Sequence, residues 1–228
     1  MYAPEIPLTA VILGMNLAVF VYMLAMGVPQ GHPTGAQGLR FGADFGPLTL
    51  TSQPWRLLTS NYLHFGVAHL LTNLYCLWGL GKLTETFYPW RDFALLYTFT
   101  GVAGSLLSVW VRPTAVSGGA SGAIFGLAGV MLATLRWGRL PVTEASRMSL
   151  YKGVLQFAGI NLVLGILLRG IDNMGHLGGL LAGGVVGAVM GRRLDMSEGS
   201  RNYRVRAWLL LWLALLAGFY GVREFFRR

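Results

Sequence analysis

The chain has 228 residues, of which 54% are hydrophobic and only 12% are charged, about half the charged fraction of an ordinary soluble domain. The lipid bilayer is therefore its expected solvent, and 32 glycines without a repeating period in so apolar a chain exclude both collagen and disorder. The net charge of +9 does not indicate nucleic-acid binding, because the basic residues lie in short connections between apolar runs.

Apolar stretches long enough to cross about 30 Å of hydrocarbon recur along the chain. They lie near residues 7–27, 67–83, 93–111, 118–135, 151–168, 174–191 and 207–222. The first lacks a basic start and a clear small-residue cleavage site, so we expect a retained helix rather than a removed signal peptide. The second and the sixth are short or interrupted by glycine, as is typical of helices buried in a bundle. These patterns predict an all-α polytopic membrane protein that forms a single membrane-embedded domain over residues 1–228.

The one long connection, about residues 28–66, contains four prolines and several glycines together with apolar residues such as Phe41 and Phe45. A loop of this length is usually functional or disordered. Its apolar content favours a structured, membrane-associated element, in which we expect Arg56 and His64 to form structural hydrogen bonds.

The distribution of basic residues predicts the orientation of the helices. Eleven lysines and arginines follow the second, fourth and sixth helices, whereas four follow the first, third and fifth. By the positive-inside rule, the N-terminus is expected in the cytoplasm and the C-terminus, after seven helices, outside. Three arginines in the C-terminal tail conflict mildly with this assignment.

Polar residues fall near the start of each of the even-numbered helices: His69 and Asn73 in the second, Ser121 in the fourth and His176 in the sixth. Under the predicted orientation, all of them lie a few residues below the outer surface. Histidines inside a membrane are costly and normally functional. A serine requires a base to become a nucleophile and donors to hold the oxyanion, and this set contains candidates for each role.

Glycines recur every fourth residue along the sixth helix, and a shorter series marks the fourth. The two series are Gly179, Gly183, Gly187 and Gly191 in the sixth helix and Gly118, Gly122 and Gly126 in the fourth. Such series form close-packing surfaces between membrane helices. If the two surfaces meet, the side chains at the two helix starts come close enough for a Ser121–His176 hydrogen bond of about 3 Å.

Each of these residues also has an ordinary structural interpretation. A lone Gly-x-Ser-Gly sequence more often holds a small packing serine, and a histidine at a helix start often bonds to a carbonyl. His69 and Asn73, one turn apart on one face, suit a polar clamp as well as an oxyanion site. Cys76 is interpreted as a core residue. No H-E-x-x-H sequence or carboxylate cluster indicates a metalloprotease or an aspartyl dyad.

At these residues the chain resembles the rhomboid family of intramembrane serine proteases. The resemblance covers roughly residues 39–191 and combines short motifs that match in order and in helix placement. The motifs are Leu39-Arg40-Phe41-Gly42, Phe45-Gly46-Pro47, Trp55-Arg56, Tyr62-Leu63-His64-Phe65-Gly66, His69-Leu70-Leu71-Thr72-Asn73, Gly119-Ala120-Ser121-Gly122-Ala123-Ile124-Phe125-Gly126 and Ile171-Asp172-Asn173-Met174-Gly175-His176-Leu177-Gly178-Gly179.

The resemblance implies the role of each site residue. Ser121 matches the nucleophile and His176 the base of a Ser-His dyad. His69 and Asn73 match the side chains that stabilise the oxyanion, joined by the backbone amide of Ser121. Phe125 matches an aromatic position that packs on the catalytic imidazole.

The resemblance also implies a six-helix core over about residues 7–191 with the long first loop 28–66, to which the seventh helix, about 207–222, is a C-terminal addition. Trp55-Arg56 matches a loop motif that is structural rather than catalytic. No aspartate is assigned to orient the base, since the family works as a dyad, and a loop carboxylate such as Asp172 is more often solvated.

The sequence therefore predicts a serine endopeptidase that cleaves single-pass transmembrane proteins near the outer face of the membrane. It requires no cofactor or metal, and its partners are these substrates and the lipid bilayer rather than nucleic acid; the oligomeric state is left open. A non-catalytic relative that binds membrane clients would typically lack the serine or the histidine. A small transporter would carry polar groups through the whole membrane depth. A chain this compact suits a bacterial inner membrane.

Overall fold

The computed structural model describes residues 7–29, 31, 33–168 and 170–227. Residues 1–6 of the predicted domain, and the basic residues Arg169 and Arg228 of the charge count, lie outside the described residues. The elements are α1 (Leu8–Ala25), α2 (Gly35–Arg40), α3 (Gly46–Thr49), α4 (Arg56–Thr59), a 3₁₀ turn (Ser60–Tyr62), α5 (Val67–Phe87), α6 (Trp90–Val111), α7 (Ser121–Trp137), α8 (Glu144–Leu167), α9 (Asn173–Met190) and α10 (Glu198–Arg227). Within the described ranges, the only pairing between extended segments is an isolated bridge between Asp44 and Ser117.

A long helix lies at each of the seven predicted positions. Five of them, α1, α6, α8, α9 and α10, are long and apolar enough by themselves to cross a membrane. The chain is thus an all-α, polytopic integral membrane protein, as the sequence predicted. The other two, α5 and α7, are respectively more polar and shorter, with 21 and 17 residues.

Two helices extend well beyond their predicted bounds. Helix α8 begins at Glu144 rather than near 151, and α10 covers Glu198–Arg227 rather than about 207–222. The added turns are polar: Thr143 caps α8 by accepting the Ser146 N–H, and Arg147 pairs with Glu144 at 2.8 Å. An apolar window detects only the part of a helix that lies in hydrocarbon, so it underestimates helices that continue beyond it.

Helix α7 occupies the centre of the bundle, between α6 and α9. Thirteen of its 17 residues are buried, which explains how so short a helix fits a membrane protein without facing lipid. Its contact with α9 is made by backbone. A Cβ added to Gly179 would overlap the carbonyl oxygen of Gly122, and one added to Gly183 would overlap that of Gly126. Dispersion between closely packed backbones is the main attraction available to helices in lipid.

The long first loop is folded rather than irregular, and Arg56 holds it together. The guanidinium donates to the carbonyls of Ala43 (2.7 Å) and Leu39 (3.0 Å) and to the side chain of Gln53 (2.7 Å). The two carbonyl bonds join α4 to the segment around α2, so one buried cation ties separate parts of the loop together. The loop packs against α6 and, through Ser60, against the segment that leads into α7.

Asp44 is the one acidic residue of this loop, and it is buried. Its side chain is fully enclosed, Oδ1 accepts from the Thr49 hydroxyl (2.5 Å), and Oδ2 has no hydrogen-bond partner among the described residues. Burial, which disfavours the charged form, raises the pKa of Asp44 to about 7, against the lowering effect of the Thr49 bond.

This raised pKa predicts a pH-dependent stability. Because the folded state binds a proton that the unfolded carboxyl releases near pH 3.8, the stabilisation is fully present below that pH and is lost as the pH rises through about 7. Asp44→Asn removes the ionisable group while leaving an acceptor for Thr49. We therefore expect the melting temperature of Asp44→Asn, minus that of the wild type, to increase from pH 5 to pH 8 in detergent. A difference that stays constant with pH would contradict the assignment.

The seventh helix, α10, docks on α6 through one buried carboxylate. Arg204 Nε and Trp208 Nε1 each donate to Asp92, both at 2.8 Å, and Phe99 packs edge-on against the Trp208 ring. Both carboxylate oxygens have a partner, so the charge is compensated where it is buried. The far face of α10 carries exposed apolar residues, among them Leu209, Leu213 and Leu216.

Candidate active site

Ser121 is the first residue of α7, and a glycine loop presents it. Gly119 has φ 143°, a backbone conformation that residues other than glycine rarely adopt. Its N–H donates to the Ser60 carbonyl at 2.9 Å. A Cβ on Gly119 would lie 2.8 Å from His69 Nε2 and 3.8 Å from Ser121 Oγ. Glycine is therefore required by both backbone conformation and space. No side chain caps α7, so the amides of its first turn remain available as donors.

His176 lies in the first turn of α9 and contacts the serine directly. Its Nε2 is 2.8 Å from Ser121 Oγ, a normal hydrogen-bond distance. For Nε2 to accept the serine proton, the neutral imidazole must carry its own proton on Nδ1. Among the described residues no hydrogen-bond partner reaches Nδ1, so the two residues form a pair without a third member bonded to the ring.

Phe125, one turn after the serine, fixes the plane of the imidazole. The two rings stack with centroids 4.2 Å apart and planes 11° apart, and Phe157 of α8 packs against the other side of Phe125 at 5.7 Å. Stacking leaves the ring edge free to bond while restricting its rotation. The family resemblance implied an aromatic residue on the imidazole at this position, and the Phe125 ring stacks on the His176 ring.

Glycine contacts bring the two helix starts together. A Cβ on Gly178 would lie 3.0 Å from Gly104 Cα, and one on Gly104 would lie 2.6 Å from the Gly175 carbonyl oxygen. With the Gly179–Gly122 contact, these positions hold α9 against both α6 and α7 immediately below His176. Of the series predicted in the fourth helix, Gly122 and Gly126 contact α9, whereas Gly118 precedes α7 and faces the first loop. The glycine of α6 was not among the predicted positions.

The α5 residues border the same region. His69 Nδ1 accepts from the Phe65 N–H over a long 3.4 Å bond, which leaves its proton on Nε2, the atom that faces the nucleophile loop. Asn73 is buried, and its amide donates one hydrogen to the His69 carbonyl at 2.9 Å, so a second hydrogen remains. His64 packs edge-on against His69 at 5.0 Å. Thus His69 adjoins the loop that leads to Ser121, and Asn73 lies one helical turn after His69 on α5.

The expectation that Asp172 is a solvated loop carboxylate is wrong. Asp172 is the N-cap of α9: Oδ1 accepts the Gly175 N–H at 3.1 Å, and Oδ2 accepts the hydroxyls of Ser108 and Ser117. An Asp immediately before the first residue of a helix is a common N-cap, and this signal could have identified the cap. The two serine contacts could not have been predicted, because they join segments 55 and 64 residues away.

Comparison with known proteins places the chain in context. The family model of the rhomboid domain matches residues 51–193. The chain is similar to rhomboid protease GluP of Bacillus subtilis, with 34% identity over 209 residues that cover 91% of this chain and 40% of the relative. RHOMBOID-like protein 4 of Arabidopsis thaliana is 32% identical over 192 residues, covering 78% and 48%. Rhomboid-like protease 1 of Toxoplasma gondii is 29% identical over 201 residues, covering 84% and 67%. The chain thus spans less than half the length of the first two relatives.

Proposed function

The chain belongs to the rhomboid family, and from this premise we propose that it is an intramembrane serine endopeptidase that cleaves single-pass transmembrane proteins near the outer face of the membrane. The observation that carries the proposal is the 2.8 Å hydrogen bond between Ser121 Oγ and His176 Nε2. The two residues are 55 positions apart in sequence and meet at partly buried helix starts. This arrangement supports a nucleophile activated by a base.

The reaction follows from the positions of the donors and the base. Ser121 Oγ attacks the carbonyl carbon of the scissile bond while His176 Nε2 takes the hydroxyl proton. The oxyanion forms against the Ser121 amide, with His69 Nε2 and Asn73 Nδ2 as further donors. His176 then returns the proton to the leaving amine, and water hydrolyses the acyl-enzyme with the same base.

The charge distribution supports an orientation with the catalytic residues near the outer face. Ser121 and His176 begin α7 and α9, whereas exposed arginines follow the opposite ends of these helices at Arg136, Arg139 and Arg192. By the positive-inside rule this places the arginines in the cytoplasm, the N-terminus with them, and the C-terminus outside. A bacterial inner membrane fits this topology.

The proposal is tested with the purified chain in proteoliposomes. The substrate is a single-pass reporter whose span has Gly and Ala near the outer end, and its matched control has Leu at those positions. We expect the first reporter to be cut within the outer part of its span, as mapped by mass spectrometry, and the second to be cut more slowly because its helix unwinds less readily. Cleavage confined to the soluble part of the reporter would contradict intramembrane proteolysis.

A further inference from the structure

Asp172 connects three segments that must be in register for the Ser121–His176 pair to form. Its carboxylate accepts hydroxyls from Ser108 on α6 and from Ser117 in the loop that leads to Ser121, and it caps α9 through Gly175. Its carbonyl also accepts the backbone N–H of His176 at 3.1 Å. One side chain thus sets the approach of the nucleophile loop to the helix that carries the base.

The Ser117 contact extends this connection to the first loop. Ser117 and Asp44 exchange both backbone hydrogen bonds, at 2.8 and 3.0 Å, while the Ser117 hydroxyl points to Asp172. The loop before Ser121 is therefore held from both sides. A rotation of the Asp172 side chain would release one of them.

The charge of Asp172 also acts on the base. Catalysis converts His176 to an imidazolium at the N-terminus of α9, where the partial positive charge of the helix disfavours a cation. Asp172 lies one turn away and interacts electrostatically with His176, and no ion pair found among the described residues includes it. Among the described residues, the hydrogen bonds to its carboxylate come from neutral groups, and its negative charge opposes the positive end of the helix dipole.

We propose that Asp172 is a positioning residue of the Ser121–His176 pair, which aligns the two helix starts and stabilises the imidazolium formed during the reaction. It acts without bonding to the ring, because Nδ1 of His176 has no hydrogen-bond partner among the described residues. This inference rests on the proposed function and adds an acid to the Ser121–His176 pair.

The test separates the charge of Asp172 from its capping role. Asp172→Asn and Asp172→Ser both retain a side chain that caps a helix about as well as Asp, but neither carries a charge. With the transmembrane reporter, we expect kcat to fall about 10-fold in both variants with KM unchanged, a smaller loss than the roughly 100-fold or more for a direct oxyanion donor. Ser105→Ala is the matched control and should retain kcat within about 3-fold, because Ser105 lies on the same helix as Ser108 but its hydroxyl bonds to Ser60 rather than to Asp172.

The outcomes are distinguishable from failure of the proposed function. Wild-type kcat in both uncharged variants would overturn the electrostatic role and leave the protease assignment intact. A lower melting temperature in both, with unchanged kcat, would reduce Asp172 to a structural cap. A wild type that cleaves no reporter would contradict the proposed function and this proposal with it.

Discussion

Ser121→Ala and His176→Ala are each expected to reduce reporter cleavage to that of protein-free liposomes, a loss of about 10⁴-fold or more. The serine supplies the only hydroxyl bonded to His176 Nε2 among the described residues, and without the imidazole the hydroxyl keeps its proton. Because the two act as one unit, the double variant should lose no more activity than either single variant. The measurement is the rate of reporter cleavage, with labelling by a fluorophosphonate as an independent readout of the nucleophile.

The control for this prediction is another serine of the same bundle. Ser105 on α6 bonds to the Ser60 hydroxyl at 3.2 Å and does not contact the imidazole. Ser105→Ala should therefore cleave the reporter at a rate close to that of the wild type, and all variants should keep the wild-type elution profile in detergent. Cleavage that persists in Ser121→Ala, or fluorophosphonate labelling of a different residue, would remove the pair from the mechanism.

That Ser121 and His176 lie close together could be predicted because the spacing of the glycines and the distribution of the charges both indicate it. Glycine every fourth residue marks one helix face, and two such faces can approach until their backbones touch. Charge asymmetry then assigns both helix starts to one depth. Both signals are visible in a single sequence without knowledge of any tertiary contact.

The polar contacts elsewhere in the bundle could not be predicted from the sequence in this way. Asp172 accepts hydrogen bonds from Ser108 and Ser117, which are 64 and 55 residues away in sequence. Asp92 accepts one from Arg204, which is 112 residues away. Polar contacts of this kind depend on how each helix is rotated about its axis. Because these helices are apolar on nearly all sides, their hydrophobic pattern does not indicate that rotation. The bounds of α8 and α10 were missed for a related reason, since their outer turns are helical but polar.

Gly183→Ala is expected to force apart the interface between α7 and α9. The new Cβ would overlap the carbonyl oxygen of Gly126 and approach Gly126 Cα to 3.0 Å. Neither atom belongs to a flexible side chain, so the two helices must separate. Overpacking of this kind costs about 1–3 kcal/mol or more of stability. The same separation lengthens the 2.8 Å bond between Ser121 and His176, and a displacement of about 1 Å at a catalytic pair lowers the rate about 100-fold.

The neighbouring Gly184→Ala is the matched control, because a Cβ there meets no atom within 4 Å. It adds the same methyl group to the same helix and should leave kcat unchanged, with stability equal to the wild type or raised by about 0.5–1 kcal/mol through helix propensity. Thermal unfolding in detergent and reporter kcat measure both effects. If Gly183→Ala were as active as Gly184→Ala, α9 would have to tolerate displacement without moving His176, and the glycine contact could not be what sets the Ser121–His176 distance.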